Sequence, residues 1–252
     1  MVLLFDIGNT RLKWALCNAG QIVESGVHDS AQICRQNLTD WLAELPKPQS
    51  IWISCVGKDA QSEFLSAWLL THFALQAVVV GVTDSACGIR NGYLDHERLG
   101  VDRWLAAIGA RTLVSSGDVI VVDAGTAITI DWLSRDNVYE GGVILPGANL
   151  VHDVLEGQTA GIAASQADTD NIIGKTTGEC VNSGIIYGLA GAVERIVNEM
   201  QKTIQQPASI VLTGGGADML WSKVNLPAVV EQNLVFIGLL EIAGQGNHQS
   251  SL

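Results

Sequence analysis

The sequence predicts an α/β protein made of two related domains, each built on a mixed central sheet. A run of strand-forming apolar residues followed by Asp, any residue and Gly occurs twice, over Val2–Gly8 and again over Val119–Gly125. A second apolar run follows each copy, so each copy predicts a buried strand, a tight turn and a returning strand. The length of 252 residues suits two domains of about 100–150 residues. We place these domains at residues 1–115 and 116–252.

The remaining elements of the first half follow from periodicity and from turn residues. The first returning strand covers Leu12–Leu16, and apolar residues at helical spacing, such as Leu38 and Leu42, predict a helix that Pro46 ends. In order, we predict a strand over Gln21–Val27, a helix over Ser30–Leu45, a strand over Ile51–Val56, a helix over Gly57–Phe73, a strand over Ala77–Val80, a loop over Ser85–Leu99 and a helix over Gly100–Leu113.

The second half repeats this order of elements. Its returning strand covers Ile128–Leu133, and Pro146 with Gly147 predicts a turn after a third strand. We then predict a strand over Val138–Ile144, a helix over Ala148–Leu155, a loop over Asp168–Thr177, a helix over Glu179–Ile204 and a strand over Ile210–Leu212.

Composition and charge exclude several classes of partner. The formal net charge of −12 argues against nucleic acid and against anionic membranes, because binding to a phosphate backbone needs clustered Lys and Arg. No segment approaches the roughly 20 apolar residues that span a bilayer. Because Asp6 interrupts the first apolar run, we expect that run to form a strand and not a signal peptide. The five cysteines are scattered and form no Cys-x-x-Cys pair, so we expect reduced thiols and a cytoplasmic location.

The two turns have the residue types of a phosphate site. We expect Gly8 and Gly125 to adopt positive φ and to let the backbone approach a ligand. Successive backbone N–H groups in such turns form a concave site for anions. Short side-chain donors lie beside the glycines, namely Asn9, Thr10 and Thr126. The alternative is two ordinary hairpins in which Asp and Gly serve only as turn formers.

Charged side chains near the turns suggest how a nucleotide and its cations would be held. Lys13, on the returning strand, can reach a phosphate as a point charge. Asp6 and Asp123 would repel phosphate, so we expect them to anchor cations, either directly or through water. Mg²⁺ typically combines one or two carboxylates with phosphate oxygens, which matches this arrangement.

The repeated order of elements resembles the fold shared by actin, Hsp70 and the sugar and acetate kinases. This resemblance implies two actin-like (ribonuclease H-like) domains that close on a nucleotide, with the two hairpins against its phosphates. The run Thr213-Gly214-Gly215-Gly216-Ala217 looks like the adenosine element of that superfamily, since glycines let the backbone lie flat against a purine or ribose. Read alone, the same run is a Gly-rich turn between a strand and a helix.

A third cluster narrows the resemblance to one family. Asn91-Gly92-Tyr93 is followed by Leu99-Gly100-Val101-Asp102-Arg103-Trp104, between the two hairpins. With Asp6-Ile7-Gly8-Asn9-Thr10-Arg11-Leu12-Lys13, Asp123-Ala124-Gly125-Thr126-Ala127-Ile128-Thr129-Ile130-Asp131 and Gly141-Gly142-Val143-Ile144-Leu145-Pro146-Gly147, it resembles the type III pantothenate kinases. These enzymes phosphorylate pantothenate with ATP in the first step of coenzyme A synthesis. Where many members have a proline, this chain has Asp95-His96-Glu97.

The resemblance implies a role for each matched residue. Asp102 corresponds to the catalytic base, and Asp123 corresponds to the ligand of a monovalent cation, K⁺ or NH₄⁺. Asp6 would hold Mg²⁺, directly or through water. The ATP contacts would come from Asp6, Ile7, Gly8, Asn9, Thr10, Arg11, Leu12, Lys13 and Thr126. The pantothenate contacts would come from Tyr93, Gly100, Val101, Asp102, Arg103 and Thr177, although the adjacent Thr176 could replace Thr177.

The family also implies a homodimer with the pantothenate site near or across the subunit interface. Trp104, Leu105 and Ile108, on the helix predicted from Gly100, offer an apolar face for a partner helix. Without the resemblance, the pair Asp102-Arg103 would be read as the cap of that helix, where Asp is favourable. With it, Asp102 beside Arg103 is expected to keep a low pKa and to act as a carboxylate base.

Three other functions remain as alternatives. The first is a regulatory protein of the same family, an accessory factor of transcription that binds ATP with little turnover and could lose Asp102, Arg103 or Tyr93. This chain keeps all three residues. The second is a sugar kinase, whose chains are usually much longer and place their base in another motif. The third is a nucleotide-dependent filament protein, which the charge of −12 disfavours.

Overall fold

The computed structural model describes residues 1–56, 59–158, 171–204 and 206–249. The chain divides into two compact units, one formed by Met1–Leu113 together with the segment from Asn233, and one formed by Val114–Gln232. The predicted ranges, 1–115 and 116–252, differ from this division mainly because the C-terminal segment belongs to the first unit. In the described part of the chain, no helix combines the length and the apolar character needed to cross a membrane.

The first unit contains a five-stranded mixed sheet. Its strands are β1 (Val2–Ile7), β2 (Arg11–Asn18), β3 (Gln21–Asp29), β4 (Ser50–Cys55) and β5 (Val78–Val80), in the order β3-β2-β1-β4-β5. β1, β2 and β3 are antiparallel, whereas β4 runs parallel to β1 and β5 runs parallel to β4. The unit also contains α1 (Arg35–Leu42), α2 (Asp59–Phe73), the short hairpin β6 (Ser85–Ala86) and β7 (Ile89–Asn91), α3 (Val101–Leu113) and, from the C-terminal segment, α7 (Leu234–Gln249).

The second unit repeats this topology. Its strands are β8 (Val119–Ala124), β9 (Ala127–Leu133), β10 (Val138–Pro146), β11 (Ser209–Thr213) and β12 (Val229–Val230), in the order β10-β9-β8-β11-β12. The directions also match, since β8, β9 and β10 are antiparallel and β11 and β12 continue in parallel. Its helices are α4 (Ala148–Gln158), α5 (Thr177–Thr203) and α6 (Ala217–Trp221). The predicted fold class, α/β with duplicated mixed sheets, is confirmed.

Strand β1 separates two parts of the hydrophobic core and thereby sets the direction of Asp6. Leu3, Phe5 and Ile7 are fully buried in one cluster, with residues of α1 and α2. Leu4 faces the other side, in a cluster with Leu105 of α3 and with residues of α7. Because side chains alternate along a strand, Asp6 lies on the face of Leu4, the face that α3 covers.

Several predicted elements have different bounds in the structure. The helix predicted over Ser30–Leu45 is a 3₁₀ turn at Ser30–Gln32 followed by α1, and the loop predicted over Ser85–Leu99 contains β6 and β7. The first two residues of the helix predicted from Gly57 lie outside the described residues, as does the start of the loop predicted from Asp168. The apolar face expected on α3 for a partner helix is also wrong, because Trp104, Leu105 and Ile108 are buried within the single chain.

Glycines allow a close approach of α3 and α7. A Cβ built on Gly238 of α7 would overlap the carbonyl oxygen of Leu105 and lie 2.8 Å from its carbonyl carbon. A Cβ built on Gly109 of α3 would overlap the carbonyl oxygen of Leu234. The backbones of the two helices therefore touch at these points, and a larger residue fits there only if the helices move apart.

We predict opposite effects for two Gly→Ala substitutions in α7. Gly238→Ala should lower the free energy of unfolding by about 1–3 kcal/mol or more, because the helices must move apart. Gly244→Ala, at a position with open space around its Cβ, should raise that free energy by about 0.5–1 kcal/mol through helix propensity. Urea denaturation of both variants measures these changes, and equal effects at the two positions would contradict the packing described here.

Candidate active site

The turn between β1 and β2 is closed by a hydrogen bond and exposes its side chains. The N–H of Gly8 donates to the carbonyl oxygen of Arg11 over 2.9 Å, and Asn9, Thr10 and Arg11 are exposed. The expected positive φ at Gly8 and Gly125 is wrong, since the described glycines with positive φ are Gly20, Gly88, Gly117, Gly141 and Gly214. A glycine at position 8 is favoured by the limited space and not by its φ, because a Cβ there would lie 3.3 Å from the carbonyl oxygen of Arg11.

Near the end of β1, Asp6 lies between Lys13 and Ser54 of the two neighbouring strands. In the sheet register Asp6 pairs with Lys13 of β2 on one side and with Ser54 of β4 on the other. The hydroxyl of Ser54, which is fully buried, donates to Oδ1 of Asp6 over 3.2 Å. Burial nevertheless raises the pKa of Asp6 to about 6; Lys13 opposes this rise, the charge of Asp102 adds to it and the Ser54 hydrogen bond opposes it. The carboxylates of Asp6 and Asp102 are therefore electrostatically coupled.

The first turn of α3 brings together Asp102, Arg103 and Tyr93. Oδ1 of Asp102 accepts a hydrogen bond from the N–H of Arg103 over 2.8 Å. Arg103 is buried, and its guanidinium donates to the hydroxyl of Tyr93 over 2.8 Å, with Cζ 5.7 Å from the centre of the Tyr93 ring. Asn91 fixes Tyr93 in turn, because its Oδ1 accepts the N–H of Tyr93 over 3.0 Å.

Gly100, two residues before Asp102, leaves room for the carboxylate of Asp102. A Cβ at Gly100 would lie 2.6 Å from Oδ1 of Asp102, so a larger residue would displace the carboxylate. The carbonyl oxygen of Gly100 also accepts the N–H of Trp104 over 3.1 Å, which begins the helical hydrogen bonding of α3. The helix-cap interpretation and the proposed role as a base are compatible, since Asp102 accepts from a first-turn N–H and remains partly exposed.

The turn between β8 and β9 is tightly packed by glycines of the run after β11, a contact that no local sequence pattern predicts. The N–H of Gly125 donates to the carbonyl oxygen of Ala127 over 3.0 Å, and the N–H of Gly216 donates to that of Ala124 over 2.9 Å. Gly214 has a φ of +95°, and a Cβ there would overlap Oδ1 of Asp123. The Gly-rich run after β11 thus packs directly against the carboxylate at the end of β8.

Equivalent positions in the two units carry different residues. Asp123 pairs with Thr129 of β9 and with Thr213 of β11, in the register in which Asp6 pairs with Lys13 and Ser54. A hydroxyl is therefore kept on the parallel neighbour, whereas the lysine of the first unit is replaced by an uncharged threonine in the second. This correspondence is seen only when the strand pairings of the two sheets are compared position by position.

The structure distinguishes Thr176 from Thr177. Thr176 is the N-cap of α5; its Oγ1 accepts the N–H of Glu179 over 3.2 Å, and the Glu179 carboxylate accepts the N–H of Thr176 in return. Thr177 is the first residue of the helix and is exposed. Thr176 is exposed as well, but its hydroxyl is engaged in the cap bond with Glu179.

The predicted site residues divide between the two units. Asp6 to Lys13 and Tyr93 to Arg103 belong to the first unit, whereas Asp123, Thr126 and Thr177 belong to the second. Ile7 and Leu12 are fully buried in the core and Val101 is largely buried, so only their backbone could contact a ligand. Ser54, whose hydroxyl holds Asp6, was missed, because a serine inside an apolar strand has no distinctive sequence pattern.

Comparison with known proteins first defines the class. Solved structures of similar fold include a protein from Sinorhizobium meliloti described as a 2-dehydro-3-deoxygalactonokinase, with a TM-score of 0.63 at 14% identity over 97% of this chain and 96% of that one. Another is a conserved protein from Campylobacter jejuni described as a Baf family transcriptional activator, with a TM-score of 0.60 at 20% identity over 98% and 99% of the two chains. The fold is thus the actin-like fold of the sugar kinases.

Sequence comparison then defines the family. The family model of type III pantothenate kinases matches residues 2–199. A type III pantothenate kinase from Burkholderia mallei is 33% identical over 258 aligned positions, which cover 96% of this chain and 99% of that protein. The chain belongs to the type III pantothenate kinase family.

We predict that Asp6 makes stability depend on pH. Its pKa lies near 3.8 before folding and about 6 after it, so the folded protein loses stability relative to the unfolded chain as pH rises through this interval. Asp6→Asn cannot ionise and escapes this loss. The variant should therefore gain stability relative to wild type between pH 4 and 6, with a constant difference above about pH 7.

Urea denaturation over a pH series measures this difference. Asp40→Asn, which changes an exposed carboxylate of α1, serves as the control and should not show the same gain. A difference between Asp6→Asn and wild type that stays flat from pH 4 to 7 would contradict the raised pKa of Asp6.

Proposed function

We propose that this protein transfers the γ-phosphoryl group of ATP to the primary hydroxyl of pantothenate, the first step of coenzyme A synthesis. The observation that carries the proposal is the grouping of Asp102, Arg103 and Tyr93 in the same unit as the first phosphate turn, with Asp102 electrostatically coupled to Asp6. Membership in the type III pantothenate kinase family supports the same substrates.

The first turn would bind the phosphates of ATP. The exposed Asn9, Thr10 and Arg11 offer donors there, and Lys13 adds a positive charge from β2. Ile7, Gly8 and Leu12 would contribute through the backbone, and the family resemblance assigns Thr126 a further ATP contact. Positioning and electrostatic stabilisation supply most of the catalysis of phosphoryl transfer, which suits a site built from donors and cations.

Asp102 would accept the proton of the pantothenate hydroxyl as the phosphoryl group is transferred. General base catalysis of this kind typically contributes about 10²–10⁴-fold in rate. Arg103 and Tyr93, which are already hydrogen-bonded to each other, would bind the substrate together with Gly100, Val101 and Thr177. Mg²⁺ bound at Asp6, directly or through water, would reduce the repulsion between Asp6, Asp102 and the phosphates.

Family resemblance also implies a homodimer and a cytoplasmic location, and both are part of the proposal. All five cysteines are free thiols in the structure. The dimer needs a surface other than the face of α3 that carries Trp104, Leu105 and Ile108, because that face is already buried. A regulatory role without turnover is less well supported, because Asp102, Arg103 and Tyr93 are all kept and connected.

An assay of ADP release tests the proposed function. Purified protein with ATP, Mg²⁺, K⁺ and pantothenate should release ADP, and omission of pantothenate should abolish the release. Glucose or another sugar in place of pantothenate should give no activity. ADP release that does not depend on pantothenate would contradict the proposed substrate.

Asp102→Asn should reduce kcat by about 10²-fold or more while the protein stays folded. The amide keeps the shape and can still accept the N–H of Arg103, but it cannot take the proton. Glu97→Gln, which changes an exposed carboxylate in the same segment, is the matched control and should keep the wild-type kcat. Near-normal turnover in Asp102→Asn would mean that another group is the base.

We further predict that activity requires K⁺ or NH₄⁺, with Na⁺ a poor substitute. In the register where Lys13 faces Asp6, the uncharged Thr129 faces Asp123, so a monovalent cation would supply the positive charge beside the second turn. Asp123→Ala should raise KM for ATP and abolish the response to K⁺, whereas Asp136→Ala, at an exposed turn of the same unit, should change neither. Full activity of the wild type in a sodium buffer free of K⁺ and NH₄⁺ would refute this role.

A further inference from the structure

The residue that follows the third strand of each sheet holds the turn between the first two strands. Ser30 follows β3, and its N–H donates to the carbonyl oxygen of Thr10 over 3.0 Å. Gly147 follows β10, and its N–H donates to the carbonyl oxygen of Thr126, also over 3.0 Å. The two positions are equivalent in the duplicated topology, since Asp29 pairs with Arg11 and Pro146 pairs with Ala127.

The second contact made from this position differs between the units. The hydroxyl of Ser30 donates to the carbonyl oxygen of Gly8 over 2.8 Å. Gly147 has no side chain, and a Cβ there would overlap the carbonyl oxygens of Gly125 and Thr126. The second turn is thus held by direct backbone contact, whereas the first turn is held by the same backbone hydrogen bond and, in addition, by a serine hydroxyl.

This hydroxyl fixes the direction of the peptide group between Gly8 and Asn9. In a trans peptide the C=O and N–H groups point in opposite directions, and no cis peptide bond occurs among the described residues. Because the carbonyl of Gly8 points to Ser30, the N–H of Asn9 points away from Ser30. Without the hydroxyl, this peptide group could rotate and the N–H would lose its fixed direction.

Other contacts hold Ser30 itself. Its side chain is buried, with 2% of the residue exposed. Nε2 of Gln61, on α2, donates to the carbonyl oxygen of Ser30 over 3.1 Å. Oδ1 of Asp29 accepts the N–H of Ala31 over 2.8 Å and thereby caps the 3₁₀ turn that begins at Ser30. The hydroxyl of Ser30 is therefore a fixed donor aimed at the turn.

We propose that Ser30 is a positioning residue for ATP, which holds the turn between β1 and β2 so that the N–H of Asn9 is directed at the phosphates. This inference rests on the proposed function, since it assumes that ATP binds at this turn. Ser30 does not touch the nucleotide and acts through the carbonyls of Gly8 and Thr10. Its loss should weaken ATP binding while the binding of pantothenate stays unchanged.

Calorimetric titration with Mg²⁺-ATP, together with KM for each substrate, tests the role of Ser30. Ser30→Ala should raise Kd and KM for ATP by about 5–10-fold, the effect of one well-placed hydrogen bond, with KM for pantothenate unchanged. Ser30→Thr keeps the hydroxyl and should restore most of the ATP affinity. Ser66→Ala is the matched control, because Oγ of Ser66 is buried and has no hydrogen-bond partner among the described residues.

The outcomes separate this inference from the proposed function. Wild-type affinity for ATP in Ser30→Ala, or an equal rise in KM for both substrates, would overturn the role of Ser30. If Ser30→Ala does not fold, Gln61→Ala replaces it; a rise of about 2–5-fold in Kd for ATP supports the role, and no rise overturns it. A wild type that binds ATP without phosphorylating pantothenate refutes only the proposed function, whereas one that binds no ATP refutes both.

Discussion

Each sheet places a carboxylate at the end of its first strand, where a buried strand passes into an exposed turn. In the first unit this carboxylate is that of Asp6. Its charged form is better solvated by water than by the protein, so burial raises the pKa of Asp6 to about 6. Lys13 and Ser54 reduce this penalty from the neighbouring strands, because the register places both beside Asp6. A bound cation would lower the cost of keeping such a carboxylate charged, which is consistent with the proposed cation site.

The duplicated topology lets the two units share a framework and differ in charge. Both have a carboxylate at the strand end, a hydroxyl on the parallel neighbour and a residue after the third strand that accommodates the turn. The first unit adds Lys13 and the serine hydroxyl of Ser30, whereas the second has Thr129 and the bare backbone of Gly147. A single framework can in this way support one turn that has its own positive charge and another that, under the proposed function, would take its positive charge from a bound cation.

Much of this organisation could be predicted from the sequence because the strands are continuous apolar runs that end at Asp-x-Gly. The duplicated hairpins were found in this way, whereas the cluster from Gly100 to Arg103 was assigned only through the resemblance to a known family. The helix α7 was not found, since Leu234–Gln249 is apolar around much of its surface, contains Gly238 and Gly244, and lacks a clear helical stripe. Its packing with α3 in the first unit also joins distant parts of the chain, which no local pattern records.

Other features depend on three-dimensional contacts. Ser30 belongs to a polar segment typical of a helix start, yet its hydrogen bonds go to the turn two strands away. Gly8 was expected for its φ, but its φ is not positive and a Cβ there would lie 3.3 Å from the carbonyl oxygen of Arg11. Gly214, in the run that resembles an adenosine element, packs against Asp123. Polar residues that position a site are hard to recognise in a sequence, because their role depends on the residues that they contact.

The most direct test of the whole account is the fate of the γ-phosphoryl group. Mass spectrometry of a reaction that contains the protein, ATP, Mg²⁺, K⁺ and pantothenate should detect pantothenate with one added phosphoryl group on its primary hydroxyl, in an amount equal to the ADP formed. Inorganic phosphate formed together with unmodified pantothenate would contradict the account, because the γ-phosphoryl group would then have passed to water.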